Sequence, residues 1–249
     1  MDGTAAPLGV RPAAGRRRAG VAARRPARRR TSGAPAGPRH PSRREPVSGP
    51  VGVGRDVAAA RVAGFARRAV DRPDLRHAGV AVCVTEDDGR ECLLVTRRAA
   101  GLRAHAGQWA LPGGRIEAGE TAVDGALREL HEEVGLVLGP DAVLGLLDDY
   151  VTRSGYVITP VVCWAGPPGE LTPAEAEVAA VHQVPLADLD VPPRFTRIPE
   201  STAPVVALPL LGGLVHAPTA AIVHQFCQVA CHGIPTRVAH LEQPVFAWR

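Results

Sequence analysis

Regular hydrophobic patterns begin only after the first fifty residues of the chain. A helical period of apolar positions predicts an amphipathic helix at Arg55–Ala69, and a second helix is predicted at Thr219–His232. Short apolar runs predict four β-strands, at Gly79–Thr85, Glu91–Thr96, Val143–Leu147 and Tyr156–Trp164. Strands mixed with a few helices indicate an α/β sandwich that spans most of the chain after residue 50.

Turn and breaker residues refine these elements. The tripeptide Asp87–Gly89 is a turn signal, so the first two strands are expected to pair as a hairpin. Pro160 lies within the fourth strand and predicts an edge position or a bulge. Thr219 is predicted as the N-cap of the last helix and Gly233 as its stop. His240–Arg249 are expected to form an ordered C-terminal strand.

Charge is divided unevenly along the chain. Residues 1–50 contain twelve arginines against Asp2 and Glu45, a charge of +10, so the remaining residues carry −6 of the overall +4. This Arg- and Pro-rich segment has few large apolar residues and is predicted to be disordered. It is either an arm that binds nucleic acid or another anionic surface, or it is dispensable. A dispensable segment is a tail or upstream sequence translated from a misassigned start. We favour the second interpretation.

Cysteine usage and hydropathy predict a cytoplasmic protein that does not enter a membrane. The number of cysteines is odd and none form a C-x-x-C pair, which favours buried thiols; they are Cys83, Cys92, Cys163, Cys227 and Cys231. The stretch Ser201–Thr236 carries no formal charge, but proline and glycine interrupt it too often for a spanning helix. No secretory signal is visible.

The segment Gly114–Leu136 carries the candidate chemistry. Thr121 is suited to cap a helix, with Asp124 as a short capping box, and Gly135 is suited to end it. On a helical wheel of Ala122–Val134, one apolar stripe faces a core; it consists of Val123, Ala126, Leu127, Leu130 and Val134.

Three carboxylates lie together beside that stripe, those of Glu129, Glu132 and Glu133, whereas Arg128 is placed on the solvated side. Like charges at this spacing repel one another on a helix. A hard cation with oxygen ligands removes the conflict, and Mg²⁺ is the usual choice beside phosphates. The alternative is a solvated acidic face, which the flanking glycines and the full spacing of the segment disfavour.

The spacing within Gly114–Leu136 resembles the Nudix box, G-x5-E-x7-R-E-U-x-E-E-x-G-U, in which U is aliphatic. Every fixed position matches: Gly114, Glu120, Arg128, Glu129, Leu130, Glu132, Glu133, Gly135 and Leu136. The resemblance implies the Nudix fold, an α/β/α sandwich with a mixed sheet and a loop–helix–loop. It also implies Mg²⁺ or Mn²⁺ as cofactor, and hydrolysis of the diphosphate bond of a linked nucleoside diphosphate.

The residues before the box resemble the signature of coenzyme A pyrophosphatases. Leu93, Leu94, Arg97, Ala99, Arg103, Gly107, Pro112, Gly113 and Gly114 match it, whereas Val95, Arg98 and Leu111 depart from it. Further similarity at Tyr150–Val162 and Glu175–Leu189 extends the resemblance over about residues 75–225, within a domain predicted at residues 51–249. It implies coenzyme A as a small-molecule substrate, with 4′-phosphopantetheine and adenosine 3′,5′-bisphosphate as products.

The same resemblance implies roles for the box residues. Glu129 and Glu133 are expected to be the main metal ligands, with Glu132 a further ligand or the group that activates the attacking water. Arg128 is expected to orient these glutamates by ion pairing. Glu120 is expected either to reach a metal or to hold the loop.

Residues outside the helix complete the predicted site. Arg97, Arg98 and Arg103 are expected to bind substrate phosphates, against the alternative of ordinary surface arginines. Gly113 and Gly114 are expected to let the backbone approach the substrate closely.

Two further expectations concern the surroundings of the carboxylates. Glu175 or Glu177 is either a general base or a solvated loop carboxylate. Ala122 and Gly125 lie on the carboxylate face of the helix, and we expect these small residues to leave room for the diphosphate.

Two other functions compete with this interpretation. In the first, a hydrolase of the same fold acts on ADP-ribose or a nucleoside triphosphate. In the second, the chain is a catalytically silent Nudix-fold module that binds nucleic acid through residues 1–50, which the intact carboxylate set disfavours. The sequence leaves the oligomeric state open, a homodimer included.

Overall fold

The computed structural model describes residues 52–101 and 106–248 of the chain. The predicted tail and Arg103 lie outside the described residues. The helices are α1 Arg55–Ala63, α2 Ala122–Val134, α3 Leu186–Leu189 and α4 Thr219–Phe226. The strands are β1 Arg76–Asp87, β2 Arg90–Arg98, β3 Trp109–Ala110, β4 Gly113–Arg115, β5 Val143–Leu146, β6 Tyr150–Val151, β7 Tyr156–Gly166, β8 Val178–Pro185, β9 Arg194–Ile198, β10 Ser201–Leu208 and β11 Val215–His216.

The larger sheet is mixed, with its strands in the order β3-β2-β1-β7-β5. The β1–β7 pair is parallel, and its other pairs are antiparallel; β4 pairs with β1, β6 with β7 and β8 with β2. Alternate residues of β1 face two separate cores. Ala81 and Cys83 pack with α2, while Val82 and Val84 belong to the core that contains α1 and α4. The predicted α/β/α sandwich with a mixed sheet is confirmed.

The predicted hairpin is confirmed; of the two alternatives for Pro160, the edge position is wrong, whereas the pairing opposite it is irregular, with a register shift between Leu146–Val161 and Tyr150–Ile158. β1 pairs with β2 around the turn at Asp88 and Gly89, both of which have positive φ. Pro160 lies in β7, between β1 on one side and β5 and β6 on the other. Its carbonyl accepts a hydrogen bond from Leu147 N–H (3.0 Å), where β5 has ended and β6 has not begun. Proline is tolerated in this central strand because its missing N–H faces the gap between those two strands.

The first helix ends earlier than predicted, at Ala63 rather than Ala69. Gly64 caps it, and two buried aspartates hold the segment that follows. Arg68 N–H donates to Asp148 (2.7 Å), and the Arg67 guanidinium pairs with Asp149 (2.6 Å). These long-range bonds hold the backbone away from the helical path.

The C-terminal third differs from the prediction in four ways. Thr219 is the first residue of α4 rather than its N-cap, and its hydroxyl donates to Trp109 O (3.3 Å). The helix continues as one π-helical turn at Cys227–Cys231, after which Gly233 has a φ of 70°. Residues 240–248 do not form the predicted strand, because a single bridge joins Glu242 to Val205 before a short 3-10 turn. The three-stranded sheet of β9, β10 and β11 was not predicted.

The five cysteines are free, and all but the half-buried Cys231 are fully buried, as expected. Within residues 52–101 and 106–248, no helix is long and apolar enough to span a membrane.

Candidate active site

Helix α2 has the ends that the sequence predicts. Thr121 Oγ1 accepts a hydrogen bond from Asp124 N–H (3.2 Å), and the Asp124 carboxylate accepts one from Thr121 N–H (2.9 Å). Gly135 ends the helix with a φ of 75°, a conformation that glycine adopts without strain. The buried part of the apolar stripe packs against the sheet and fixes the direction of the glutamates; it consists of Ala126, Leu130 and Val134.

Arg128 lies at the centre of the carboxylate cluster. Its Nε donates to Glu120 Oε1 (2.8 Å), and its Nη1 donates to Glu129 Oε1 and Glu132 Oε2 (2.9 Å each). Its Nη2 donates to the carbonyl of Arg115 (2.9 Å). The predicted placement of Arg128 on a solvated side is therefore wrong, because three carboxylates and a carbonyl of β4 surround its guanidinium. These are ion pairs of the kind by which Arg128 was expected to orient the glutamates.

Glu133 has the most perturbed carboxyl group of the box. It is 5% exposed, and burial raises its pKa to about 7. Repulsion from Glu129 and Glu177 raises this pKa further, whereas attraction to Arg98 and a hydrogen bond from Gly113 N–H lower it. The positive charge and the hydrogen bond around Glu133 therefore do not compensate for the burial of its ionised carboxylate.

The donor set fits a hard divalent cation in its chemistry. Carboxylate oxygens are the ligands that Mg²⁺ and Mn²⁺ prefer, and burial raises the pKa of Glu129 as well as that of Glu133. In the part of the chain that the structure describes, no three His, Cys, Asp or Glu side chains converge as metal ligands. The carboxylates of Glu129 and Glu132 instead share Arg128 Nη1, so a bound cation would compete with Arg128 for these oxygens.

Two glycines separate the box glutamates from the adjoining cavity. A Cβ on Gly113 would lie 2.6 Å from Gly79 O, and a Cβ on Gly114 would overlap the carboxylate of Glu129. Both glycines line the cavity, and Gly113 N–H bonds to Glu133. Gly113 and Gly114 therefore adjoin both the cavity and the carboxylates, and neither position has room for a side chain.

The expected clearing for the diphosphate at Ala122 and Gly125 is not present. Gly125 is buried, and a Cβ there would lie 3.4 Å from Glu120 Oε2 and 3.5 Å from Ile116 Cγ1. The Ala122 carbonyl packs against Gly79. This expectation is wrong because the loop of the box itself fills the space over the small residues.

A cavity of about 690 Å³ lies on the α4 side of the sheet, a volume within the usual range for small-molecule sites. At one end it is bounded by Gly113 and Gly114, which pair with Val80 and Gly79 of β1. The other end begins at Arg76, four residues earlier on β1, or about 13 Å along the strand. The cavity therefore extends from the box toward the start of β1.

The three predicted substrate-binding arginines lie in different places. Arg98 lines the cavity, and its Nε is buried without a hydrogen-bond partner among the described residues. Arg97 is exposed outside the cavity, where its Nε donates to Gly107 O (3.3 Å), because adjacent residues of a strand point to opposite faces. Arg98 therefore lines the cavity and Arg97 does not, and the substrate contacts of both arginines stay predictions. Arg103 lies outside the described residues.

The two downstream glutamates are also distinguished. The Glu177 charge raises the pKa of both Glu129 and Glu133, and Glu177 O accepts a hydrogen bond from Ala99 N–H (2.8 Å) beside Arg98. Glu175 is exposed and is not among the charges that shift either pKa.

The sequence did not reveal the other end of the cavity, which we call the arginine end and define by Arg76, Arg153, Tyr156 and Trp248. The Arg76 guanidinium lies 4.0 Å from the Tyr156 ring centroid, and that of Arg153 lies 5.1 Å from the Trp248 centroid. The similarity at Tyr150–Val162 was the one available signal, and it assigned no role to these side chains.

Comparison with known proteins gives one family. The family model described as NUDIX domain matches residues 75–206, just over half of the chain. An uncharacterized Nudix hydrolase NudL of Escherichia coli O7:K1 is 38% identical over 123 residues, which cover 49% of this chain and 64% of that protein. A NudL of Cronobacter sakazakii is 42% identical over 97 residues, 39% of this chain and 50% of that protein. The chain therefore matches less than two thirds of the length of these relatives.

Solved structures of similar proteins carry the same family description. A Nudix hydrolase from M. smegmatis, RenU, has a TM-score of 0.43 at 21% identity and covers 62% of this chain and 84% of that one. The NUDIX domain of Shewanella oneidensis NrtR, complexed with ADP ribose, has a TM-score of 0.37 at 25% identity and covers 53% and 84%.

Proposed function

The chain belongs to the Nudix family, and we propose that it hydrolyses the diphosphate bond of coenzyme A or its derivatives with the help of Mg²⁺ or Mn²⁺. The products are 4′-phosphopantetheine and adenosine 3′,5′-bisphosphate. The observation that carries the proposal is the cavity lined by Gly113 and Gly114, the two glycines that neighbour Glu133 and Glu129. Among its described lining residues are three arginines and no carboxylate, a composition suited to a substrate with several phosphates.

The box residues hold the cation and set the charge around the diphosphate. Glu129 and Glu133 are the proposed ligands, with Glu132 as a further ligand or as the group that activates water. A bound divalent cation supplies a nucleophilic water at neutral pH and neutralises charge that develops on the phosphoryl oxygens. Glu120 holds the loop, since its carboxylate pairs with Arg128 and accepts a hydrogen bond from Glu117 N–H (2.8 Å).

Arg98 and Glu177 act beside the scissile bond in this proposal. Arg98 lines the cavity and binds a phosphate of the diphosphate with its guanidinium, whose buried Nε has no hydrogen-bond partner among the described residues. Glu177 is favoured over Glu175 as the downstream base because its charge acts on Glu129 and Glu133. The exposure of Glu177 leaves it accessible to water from solvent.

A substrate panel tests this function directly. Coenzyme A, acetyl-coenzyme A, ADP-ribose and a nucleoside triphosphate are incubated with the full chain and Mg²⁺ or Mn²⁺, and the products are separated by anion-exchange chromatography. We expect coenzyme A or its acyl derivative to give the highest kcat/KM. Cleavage of ADP-ribose or the triphosphate with intact coenzyme A would overturn the substrate assignment.

A binding-only function gives a different pattern in the same panel. A catalytically silent module would cleave no member with either metal ion. It would bind nucleic acid in a salt-sensitive manner that disappears when residues 1–50 are deleted.

A further inference from the structure

The arginine end of the cavity is held in place by buried bonds from the segment 241–248. The Tyr150 hydroxyl donates to Leu241 O (2.8 Å) in the core, and Arg153 N–H donates to the buried amide oxygen of Gln243 (2.8 Å). Trp248 Nε1 donates to Gln243 O (3.0 Å), which fixes the orientation of its indole. The wall of the cavity at this end is therefore set before any ligand arrives.

The two arginines at this end differ in how their charges are used. Both Nε and Nη2 of Arg153 bond to Glu242 Oε2 (3.0 and 2.6 Å), so a buried carboxylate balances that charge. Arg76 Nη2 donates to Ser154 O (2.6 Å), and its guanidinium stacks on Tyr156. Among the described residues no carboxylate pairs with Arg76, so this exposed arginine lines the cavity with a charge that no ion pair neutralises.

We propose that the arginine end binds a nucleoside whose ribose carries a phosphomonoester. This nucleoside is the half of the substrate that lies away from the box. Trp248 and Tyr156 provide aromatic surface for the base, and Arg76 provides the donors for the phosphomonoester. The proposal rests on the proposed function only in supposing that the scissile diphosphate lies at Gly113 and Gly114. A substrate whose far half ends in an uncharged ribose leaves Arg76 unpaired. This end therefore favours substrates that carry a phosphomonoester in addition to the diphosphate.

The position of this subsite explains why it requires the segment 241–248. Arg76 and Tyr156 are paired residues of β1 and β7, at the open end of both strands. Trp248 lines the same cavity from a segment that lies beyond the residues matched by the family model. The arginine end therefore combines Arg76 and Tyr156, inside the family match, with Trp248 outside it.

Titration calorimetry of the full chain with two non-hydrolysable ligands, in EDTA, tests the subsite without turnover. Adenosine 3′,5′-bisphosphate and AMP share a base and a 5′-phosphate and differ in the second phosphate. We expect the bisphosphate to bind roughly 10-fold more tightly, the value of one charge-assisted contact. Equal affinities for the two ligands would overturn the proposal.

Variants assign the contact to particular residues. Arg76→Ala should reduce the affinity for the bisphosphate to that for AMP, while Arg90→Ala, an exposed arginine outside the cavity, should leave the difference intact. Trp248→Ala should lower the affinities for both ligands by the same factor, and Trp248→Phe should restore most of the lost affinity. A difference that survives Arg76→Ala would contradict the assignment. Failure to cleave coenzyme A refutes the proposed function alone, because this binding difference does not depend on hydrolysis.

Discussion

The two sides of the site are built in opposite ways. On the carboxylate side, one helix supplies Glu129, Glu132 and Glu133 within five residues, and Arg128 from the same turns ties them together. At the arginine end, Arg76 and Trp248 come from strands and loops more than 170 residues apart in sequence. The first side concentrates negative charge, and the second presents positive and aromatic surface. In the proposed function, catalysis therefore depends on local structure and recognition of the far half of the substrate depends on tertiary structure.

The comparison is tested most strongly by removing charge from the buried carboxylate. Glu133→Gln should lower kcat/KM with Mg²⁺ by roughly 100- to 1,000-fold, because transition-state charge loses the stabilisation that the bound cation provides. Glu175→Gln, an exposed glutamate on the downstream loop, should remain within about 2-fold of the wild type. Initial rates on coenzyme A measure both, and a Glu133→Gln enzyme within about 10-fold of wild type would separate Glu133 from catalysis.

The same substitution should stabilise the protein when metal ions are removed. The pKa of Glu133 is raised from 4.5 to about 7 in the folded chain, so the folded chain keeps a proton that the unfolded chain loses between pH 4.5 and pH 7. The free energy of unfolding of the wild type therefore falls across this window as pH rises, whereas a glutamine at this position does not titrate. In EDTA, Glu133→Gln should be more stable than wild type at pH 8 by up to about 3 kcal/mol, and by less at pH 5.

Urea unfolding at the two pH values measures this difference. Glu132→Gln is the matched control on the same helix, because the Glu132 side chain is 56% exposed and its neutralisation should change the free energy of unfolding little. A Glu133→Gln protein that is less stable than wild type at pH 8 would show that the buried charge is compensated.

Arg128 tests whether the glutamates need a fixed arrangement. Arg128→Lys keeps one positive charge but cannot bond to Glu120, Glu129 and Glu132 in the geometry of the guanidinium. We expect a loss in kcat/KM of about 10- to 100-fold with a higher Mg²⁺ requirement. Arg90→Lys, at the exposed β1–β2 turn, is the control. Unchanged metal dependence in Arg128→Lys would restrict this arginine to a structural role.

The smallest expected effect distinguishes two adjacent arginines. Arg98→Ala should raise KM for coenzyme A by roughly 10-fold, because its guanidinium faces the cavity, whereas Arg97→Ala should leave KM unchanged. Steady-state kinetics of the two variants measures the difference. The opposite ranking would mean that the substrate lies on the other face of β2.

Features of the fold and the site were predictable from the sequence where the contacts that form them join residues close together in the chain. The ends of α2 and its carboxylate face follow from residues within one helix, so Thr121, Gly135 and the glutamates were readable. The placement of Arg128 on a solvated side failed, because the loop at Glu120 folds back over the helix, and the same loop covers Gly125.

Other features depend on partners distant in sequence. The early end of α1 depends on Asp148 and Asp149, and the central position of Pro160 depends on where β5 stops. The arginine end joins β1, β7 and the last residues of the described chain. Hydrophobic periodicity carries no information about contacts between segments that are distant in sequence.

The segment 241–248 has a consequence for how this protein changes over evolutionary time. It lies after the family match at residues 75–206, and it contributes a wall of the cavity without contributing a box glutamate. On the proposed function, substitutions in these few residues change how tightly the base is held without touching a box glutamate, whereas the choice for a phosphomonoester stays with Arg76 inside the family match. Sequence change in this segment should therefore tune affinity across all substrates while leaving their ranking in place.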